Sequence, residues 1–309
     1  MRFFPGRNPD FHQESEAVKR SAEVRKVLIV TLLLNCAVAA AKIFYGFSTN
    51  SVAITSDGFH SMFDGVSNIA GLIAIYIAAH PPDARHPYGH RKYETVFTIF
   101  IGVLMLFTCF EILKQAWASF HGEQRPVLGA TSFVVMVGTL AVNIFVATYE
   151  KRMGTKLNSS FLIADSQHTR SDIYVTLGVL VSLPFVLLGY AFVDPLVGVI
   201  VGVMVARIGI IIIRDSANTL ADSRAECPVV IQEICKGVEG VVGCHKIRTR
   251  GTAGSVFVDL HIQVAPSMPI EDAHAIAHRV VTTIKAEMPD VVDVVVHVEP
   301  HNGGDATIG

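Results

Sequence analysis

Apolar residues arrive in six long blocks, near positions 27–48, 51–79, 95–119, 127–149, 159–188 and 191–213. Each block reaches the roughly 20 residues that a helix needs to cross a bilayer. Gly46, Asn50 and Ser51 punctuate the first turn, and Gly189 with Asp194 and Pro195 marks the last. The second and fifth blocks are the most polar of the six. After about residue 214 the pattern becomes that of a small soluble domain. Residues 228–238 and 270–287 have helical spacing, with Pro269 just ahead of the second run. Positions 255–264 alternate, Val256, Val258, Leu260 and Ile262 against Phe257, Asp259, His261 and Gln263, which is the period of a strand. Residues 246–250 and 293–299 read as two further short strands. The expected fold class is an α-helical membrane protein with six transmembrane helices, followed by a C-terminal α+β domain in the order α-β-β-α-β.

Composition agrees with a membrane protein. The 309 residues are 51% hydrophobic and 17% charged, with a mean hydropathy of +0.46, low in charge for a soluble chain. A net charge of -2 gives no reason to expect a nucleic-acid partner. The five cysteines (Cys36, Cys109, Cys227, Cys235, Cys244) form no CxxC pair, so they read as small buried hydrophobes; only Cys244, beside His245, invites a metal reading. The first 26 residues are polar and mixed in charge, unlike a signal peptide.

Charge also orients the blocks. Lys19, Arg20, Arg25 and Lys26 precede the first, Arg85, Arg91 and Lys92 separate the second and third, and Lys151, Arg152 and Lys156 separate the fourth and fifth. The alternate connections at 47–50 and 188–192 carry no lysine or arginine, and 121–126 has only Arg125. The positive-inside rule then puts both termini in the cytoplasm. The expected organisation is a cytoplasmic segment over 1–26, a transmembrane domain over 27–214, a cytoplasmic domain over 215–300 and a disordered tail over 301–309.

Ionisable residues inside apolar blocks are costly and mark function by default. The second block carries Asp57, His60 and Asp64, and the fifth carries Asp165, His168 and Asp172 at the same offsets. Residues i and i+4 share a helix face, so each His/Asp pair aims an imidazole and a carboxylate one way. Two nitrogens and two carboxylates suit a tetrahedral divalent ion such as zinc. Asp57 and Asp165 read as outer-shell or mouth residues. The bland alternative is polar glue between helices. Between the second and third blocks, Asp83, His86 and His90 form a second candidate set on a polar loop. The C-terminal domain offers His245, His261, His297 and Glu299, with His274 and His278 at i, i+4 on a helix and His301 in the tail.

The chain resembles the cation diffusion facilitator family of metal/proton antiporters over about residues 20 to 300. The resemblance is carried by SDGFHSMFD, HPYGHRKYE and ADSQHTRSD, and in the C-terminal domain by GCHKIRTR, VDLHIQV and VVHVEP. It implies a homodimer of six-helix protomers, each with a ferredoxin-like cytoplasmic domain that senses metal and dimerises. It implies a transport site at His60, Asp64, His168 and Asp172, an interfacial loop site at Asp83, His86 and His90, and a cytoplasmic site at His245, His261, His297 and Glu299 with His274 near it. The family's zinc-preferring members commonly carry histidine at the position of His60, which makes Zn(II) the expected substrate and regulatory ligand, with Cd(II), Co(II) or Fe(II) as alternatives. The expected protein is a transporter of the cell (inner) membrane and not an enzyme. Protons are the counter-ion, lipid is the surroundings, and no organic cofactor is required. Imidazole titrates near neutrality, and metal binding needs neutral histidine and ionised carboxylate, so ion and proton compete for the same groups. The alternative is a membrane-bound metal sensor with little net transport.

Overall fold

A computed structural model describes residues 9–48, 52–121, 130–190 and 192–301, without the side chains of 9–17, 48, 52–57, 59, 60, 63, 64, 130–132 and 187. The chain divides into two units at Ser216 and Ala217. The first unit holds the long helices α1 (Pro9–Ser48), α2 (Val52–Ala78), α3 (Lys92–Phe120), α4 (Ala130–Lys156), α5 (Ser160–Leu187) and α6 (Val193–Leu220). Within it, Val18–Phe47, Lys92–Phe120, Phe133–Lys156 and Val193–Leu220 are long and apolar enough to cross a membrane. Among the described residues of α2, the shorter stretch Gly65–Ala78 is apolar. Helix α5 carries Asp165, His168, Arg170 and Asp172 along its length, which lowers its hydropathy in the same way. The spacing expected of six blocks is thus present as six helices among the described residues, and four of these meet the spanning standard over the residues described.

Two helix boundaries differ from expectation. Helix α1 begins at Pro9, not near 27, and α6 runs on to Leu220. The charges from Lys19 to Lys26 hide a helical period beneath them. Val24, Val27 and Leu28 fall on one face and are buried with Ile75, Ile101, Phe161 and Leu162. A second cluster joins α3 to α6 through Met105, Cys109, Val201 and Val205. Those two helices nearly touch at Gly102 and Gly209. A Cβ at Gly102 would sit 3.1 Å from the Gly209 carbonyl, and one at Gly209 would sit 3.0 Å from the Gly102 carbonyl. Small residues at such crossings let membrane helices pack where no hydrophobic force drives them together.

The end of the bundle at the α4–α5 turn is tied by one ion-pair network. Arg20 donates from Nε to the Leu157 carbonyl at 2.6 Å and from Nη2 to the Asn158 carbonyl at 2.8 Å. The same Nη2 pairs with Glu94 Oε2 at 3.0 Å. Ser159 Oγ donates to Glu94 Oε1 at 2.5 Å and accepts from Leu162 N at 3.3 Å, capping α5. The network therefore binds α1, α3 and the α4–α5 turn through one carboxylate.

The second unit contains α7 (Pro228–Lys236), β1 (Gly243–Thr252), β2 (Ser255–Val264), α8 (Ile270–Glu287) and β3 (Val291–Pro300), the α-β-β-α-β order that the alternation predicts. Strand β1 runs antiparallel to β2, and β3 runs parallel to β2, in the order β1-β2-β3. A full ferredoxin-like fold is β-α-β-β-α-β. Here the leading strand is missing among the described residues, so β2 and β3 pair directly where that strand would separate them. Val258, Leu260 and Ile262 pack with Ile231 and Cys235 of α7 and with Ile276, Val280 and Ile284 of α8. Both helices cover the same face of the sheet, which leaves the other face to the odd-numbered residues of β2.

Candidate metal centres

His60 and Asp64 lie on α2, and their side chains, with that of Asp57, fall outside the described residues. On α5, His168 is buried and Asp172 half-buried, four residues apart on one helix face. Helices α2 and α5 pack together. At Gly71 the ring of Phe161 occupies the space that a Cβ would take. Asp165, expected as a mouth or outer-shell residue, is sealed in the interior at 1% exposure, which excludes the mouth position and leaves the outer shell. The physical reason is the reach of α4: its helix continues through Glu150 to Lys156 and covers the α5 residues that a shorter fourth block would have left open. Glu150 itself, also 1% exposed, was not among the sequence candidates because the apolar block ends one residue before it.

The loop between α2 and α3 does assemble its three residues. Asp83, His86 and His90 bring one ligand atom each within 4.8 Å of the others. Asp83 Oδ1 accepts from the backbone N–H of His86 at 2.7 Å and of Arg85 at 2.8 Å. Donation from the His86 backbone is the main reason this carboxyl is held below its ordinary value. His90 Nε2 lies 3.5 Å from Asp83 Oδ2, while its Nδ1 meets the Pro81 carbonyl at 3.2 Å. A carbonyl on one ring nitrogen fixes the ring and presents the other nitrogen as a ligand. Gly89, at φ 81°, supplies the left-handed turn between the two histidines.

The open face of the sheet carries the most complete set. Cross-strand register places His245 opposite His261 and His261 opposite His297, a row of three imidazoles across the three strands. Glu299, two residues along β3, joins them. Its Oε1 lies 2.7 Å from His261 Nδ1 and 3.8 Å from His297 Nε2, and its Oε2 lies 3.0 Å from His245 Nε2. A β-bulge between His245 and Arg248 lets the neighbouring Lys246, at φ 49°, come within 3.9 Å of the same carboxylate. The His261 hydrogen bond is the chief cause holding the Glu299 carboxyl below its ordinary value. His245, His261 and Glu299 form a three-ligand group with all ligand atoms within 4.8 Å. His297, 63% exposed in its side chain, stands at its edge. Two imidazoles and a carboxylate with an open fourth position fit a borderline divalent ion such as zinc.

The structure does not bring His274 to that group. It sits exposed on α8, its ring 4.5 Å from that of His278, and α8 packs on the opposite face of the sheet. His301 meets Gln263 Oε1 at 3.1 Å through Nδ1. Cys244 is buried with Cys235 on the core side and faces away from the histidine row. Cys36 and Cys227 are exposed, contrary to the expectation of burial.

Comparison with known proteins covers both units. The family profile "Cation efflux transmembrane domain" matches residues 28–221, and "Cation efflux protein, cytoplasmic domain" matches residues 228–301. The uncharacterized transporter MJ0449 of Methanocaldococcus jannaschii is 32% identical over 90% of this chain and 98% of its own length. Metal tolerance protein C1 of Arabidopsis thaliana is 30% identical over 95% of this chain and 65% of its own. The manganese efflux system protein MneP of Bacillus subtilis is 28% identical over 92% of this chain and 99% of its own.

Proposed function

Since the chain belongs to the cation efflux family, a family of multi-pass membrane transporters of divalent metals, we propose that it exports Zn(II) from the cytoplasm in exchange for protons. One observation supports this reading above the rest. Helix α5 buries His168 four residues from Asp172, and it packs on α2, the helix that carries His60 and Asp64. Two nitrogens and two oxygens from these four residues make a donor set that zinc accepts and that Cd(II), Co(II) or Fe(II) tolerate. Metal and proton compete for such ligands, so the set itself couples the two fluxes. Helices α2 and α5 complete a six-span domain over 27–214, with both termini on the cytoplasmic side of the cell membrane as the flanking lysines and arginines dictate. Helix rocking then exposes the set to alternate sides.

In this reading the domain over 215–300 senses metal and holds a homodimer together. The row His245–His261–His297 with Glu299 is its regulatory site. Asp83, His86 and His90 hold a weaker ion at the loop.

The test is metal flux in proteoliposomes under an imposed pH gradient. Zinc uptake driven by the gradient is expected, and Asp64→Ala or Asp172→Ala should abolish it. Flux that ignores the gradient removes the antiport claim. Mn(II) in competition decides between zinc and the ion that names the Bacillus relative. The ready-made sheet site favours one second reading, a membrane-bound metal sensor. Wild-type protein that binds zinc at the sheet but moves none would establish it.

A further inference from the structure

A separate polar chamber lies inside the helical unit. Glu150 of α4 and Asp165 of α5 are electrostatic neighbours, each buried to 1% exposure. Thr31 of α1 and Thr169 of α5 stand beside Glu150, and Ser67 and Asn68 of α2 beside Asp165. Each threonine hydroxyl also has a backbone carbonyl within reach. Thr31 Oγ1 reaches the Leu28 carbonyl at 3.3 Å, and Thr169 Oγ1 reaches the Asp165 backbone carbonyl at 3.2 Å. None of these groups reaches either Glu150 oxygen or Asp165 Oδ2 with full hydrogen-bond geometry among the described residues.

Such an arrangement demands an occupant. A buried carboxylate without a partner is among the costliest groups a fold can hold, and two side by side also repel. One proton shared between them would leave one negative charge beside the His168 ring. A divalent cation cancels both charges and takes up all three orphaned oxygens. The surrounding groups are mostly oxygens, the hydroxyls of Thr31, Ser67 and Thr169, with the Asn68 amide and the His168 imidazole on the Asp165 side. Around Glu150 that is a hard-ion ligand set, richer in oxygen than the set at His168 and Asp172.

We propose that Glu150 and Asp165 form an oxygen-rich binding site for a divalent cation, adjoining the His168–Asp172 face. The site rests on the metal-transport reading only in that its ion is the transported one. Its position suits a staging post. Glu150 lies six residues before the end of α4 and Asp165 five after the start of α5, about 9 and 7.5 Å inside the α4–α5 turn. Asp165 precedes His168 by three residues, about 4.5 Å along the helix. An ion travelling inward from that end meets the carboxylate pair first and the histidine next, one turn deeper. Exchange of water for oxygen ligands at the first stop, then for imidazole at the second, divides dehydration into two steps.

The experiment counts Mn(II) bound per protomer by electron paramagnetic resonance on the full-length protein in detergent, with Mn(II) alone as probe. Glu150→Gln should lose one ion per protomer, or weaken that ion at least tenfold, while Glu150→Asp keeps it. Asp172→Asn should lower a different class of ion, and the double variant should lose both. Glu150→Gln should also melt higher than wild type without metal, because a buried charge is gone, and should lose the upward shift in Tm that Mn(II) gives the wild type. Asp165→Asn reads the same loss if Glu150→Gln cannot be purified. An unchanged ion count in either folded variant overturns the site, as does a variant that alters only the pH profile of flux, which would mean a proton in place of the ion. Absence of any wild-type flux in liposomes would instead sink the transport reading, and the binding count would still score the site.

Discussion

The carboxylates buried between α4 and α5 and the carboxylate on the open face of the sheet meet opposite fates. Glu299 is half-exposed, and His245, His261 and Lys246 surround it with donors. It is satisfied before any ion arrives. Glu150 and Asp165 are sealed among helices, and three of their oxygens find no donor. The difference follows from the elements. A sheet places residues of neighbouring strands side by side by register, so a carboxylate there gains three cross-strand partners at once. A helix shows only every third or fourth residue to a given neighbour, and its backbone donors are already committed to itself. Ion binding at the sheet replaces existing hydrogen bonds. Ion binding in the helices would supply missing ones.

That contrast can be broken experimentally, starting where the effect is greatest. Arg20→Ala strands Glu94 in the interior and should destabilise the helical unit by about 3 kcal/mol, the scale of breaking a buried ion pair. The check is thermal unfolding in detergent, with Glu94→Gln in the Arg20→Ala background recovering part of the loss. Next, His261→Ala removes both a ligand and the strongest hydrogen bond to Glu299. Zinc affinity of the sheet site, measured by calorimetry on the full chain, should fall by about 100-fold, the upper end of what losing even an outer-shell partner costs.

A smaller effect concerns acid. The Glu299 carboxyl is held below its ordinary value by His261, so its folded form favours the charged state more than its unfolded form does. The stability it contributes is present above the unfolded carboxyl value, about 4.3, and is lost as pH falls through the lower folded value. Wild type should thus lose stability on acidification through that window more steeply than Glu299→Gln. Equal slopes would show that the His261 hydrogen bond is not formed in solution. Smallest of all, His274→Ala should change zinc affinity by less than about twofold, since α8 lies across the sheet from the site; the benchmark is again the roughly tenfold or greater cost of a lost metal contact. A tenfold loss would mean that a second copy carries α8 to the histidine row.

The sheet unit was largely legible from sequence. The alternation at 255–264 and the helical spacing at 270–287 coincide with β2 and α8. Period-two logic also put His261 with Asp259 and Gln263, away from the core. What it could not supply was pairing, because register between β1, β2 and β3 depends on contacts far apart in the chain. The helical unit was legible as blocks and less so as edges. Charges at Lys19 to Lys26 masked the start of α1, whose Val24 and Val27 are nonetheless buried. Glu150 was lost for a related reason. It stands next to Lys151 and Arg152 and reads as the start of a charged loop, although α4 continues six residues beyond it. Burial of an acid at a helix end is decided by the neighbouring helix, which no local window contains.

The pairing of His245, His261 and His297 has one more consequence. Side chains on a strand alternate faces, so sliding β3 along β2 by one residue would carry His297 into the core and Val296 or Val298 into solvent. Metal ligation and core packing therefore obey a single alignment. An ion held across the three strands would work as a rivet: it would clamp the chain segments at 245, 261 and 297–299 in the one offset that also packs Leu260 and Ile262. At free metal one hundred times the dissociation constant, that clamp adds about 2.7 kcal/mol to folding. Metal supply would then set how firmly this small sheet holds together, quite apart from any ion the protein carries.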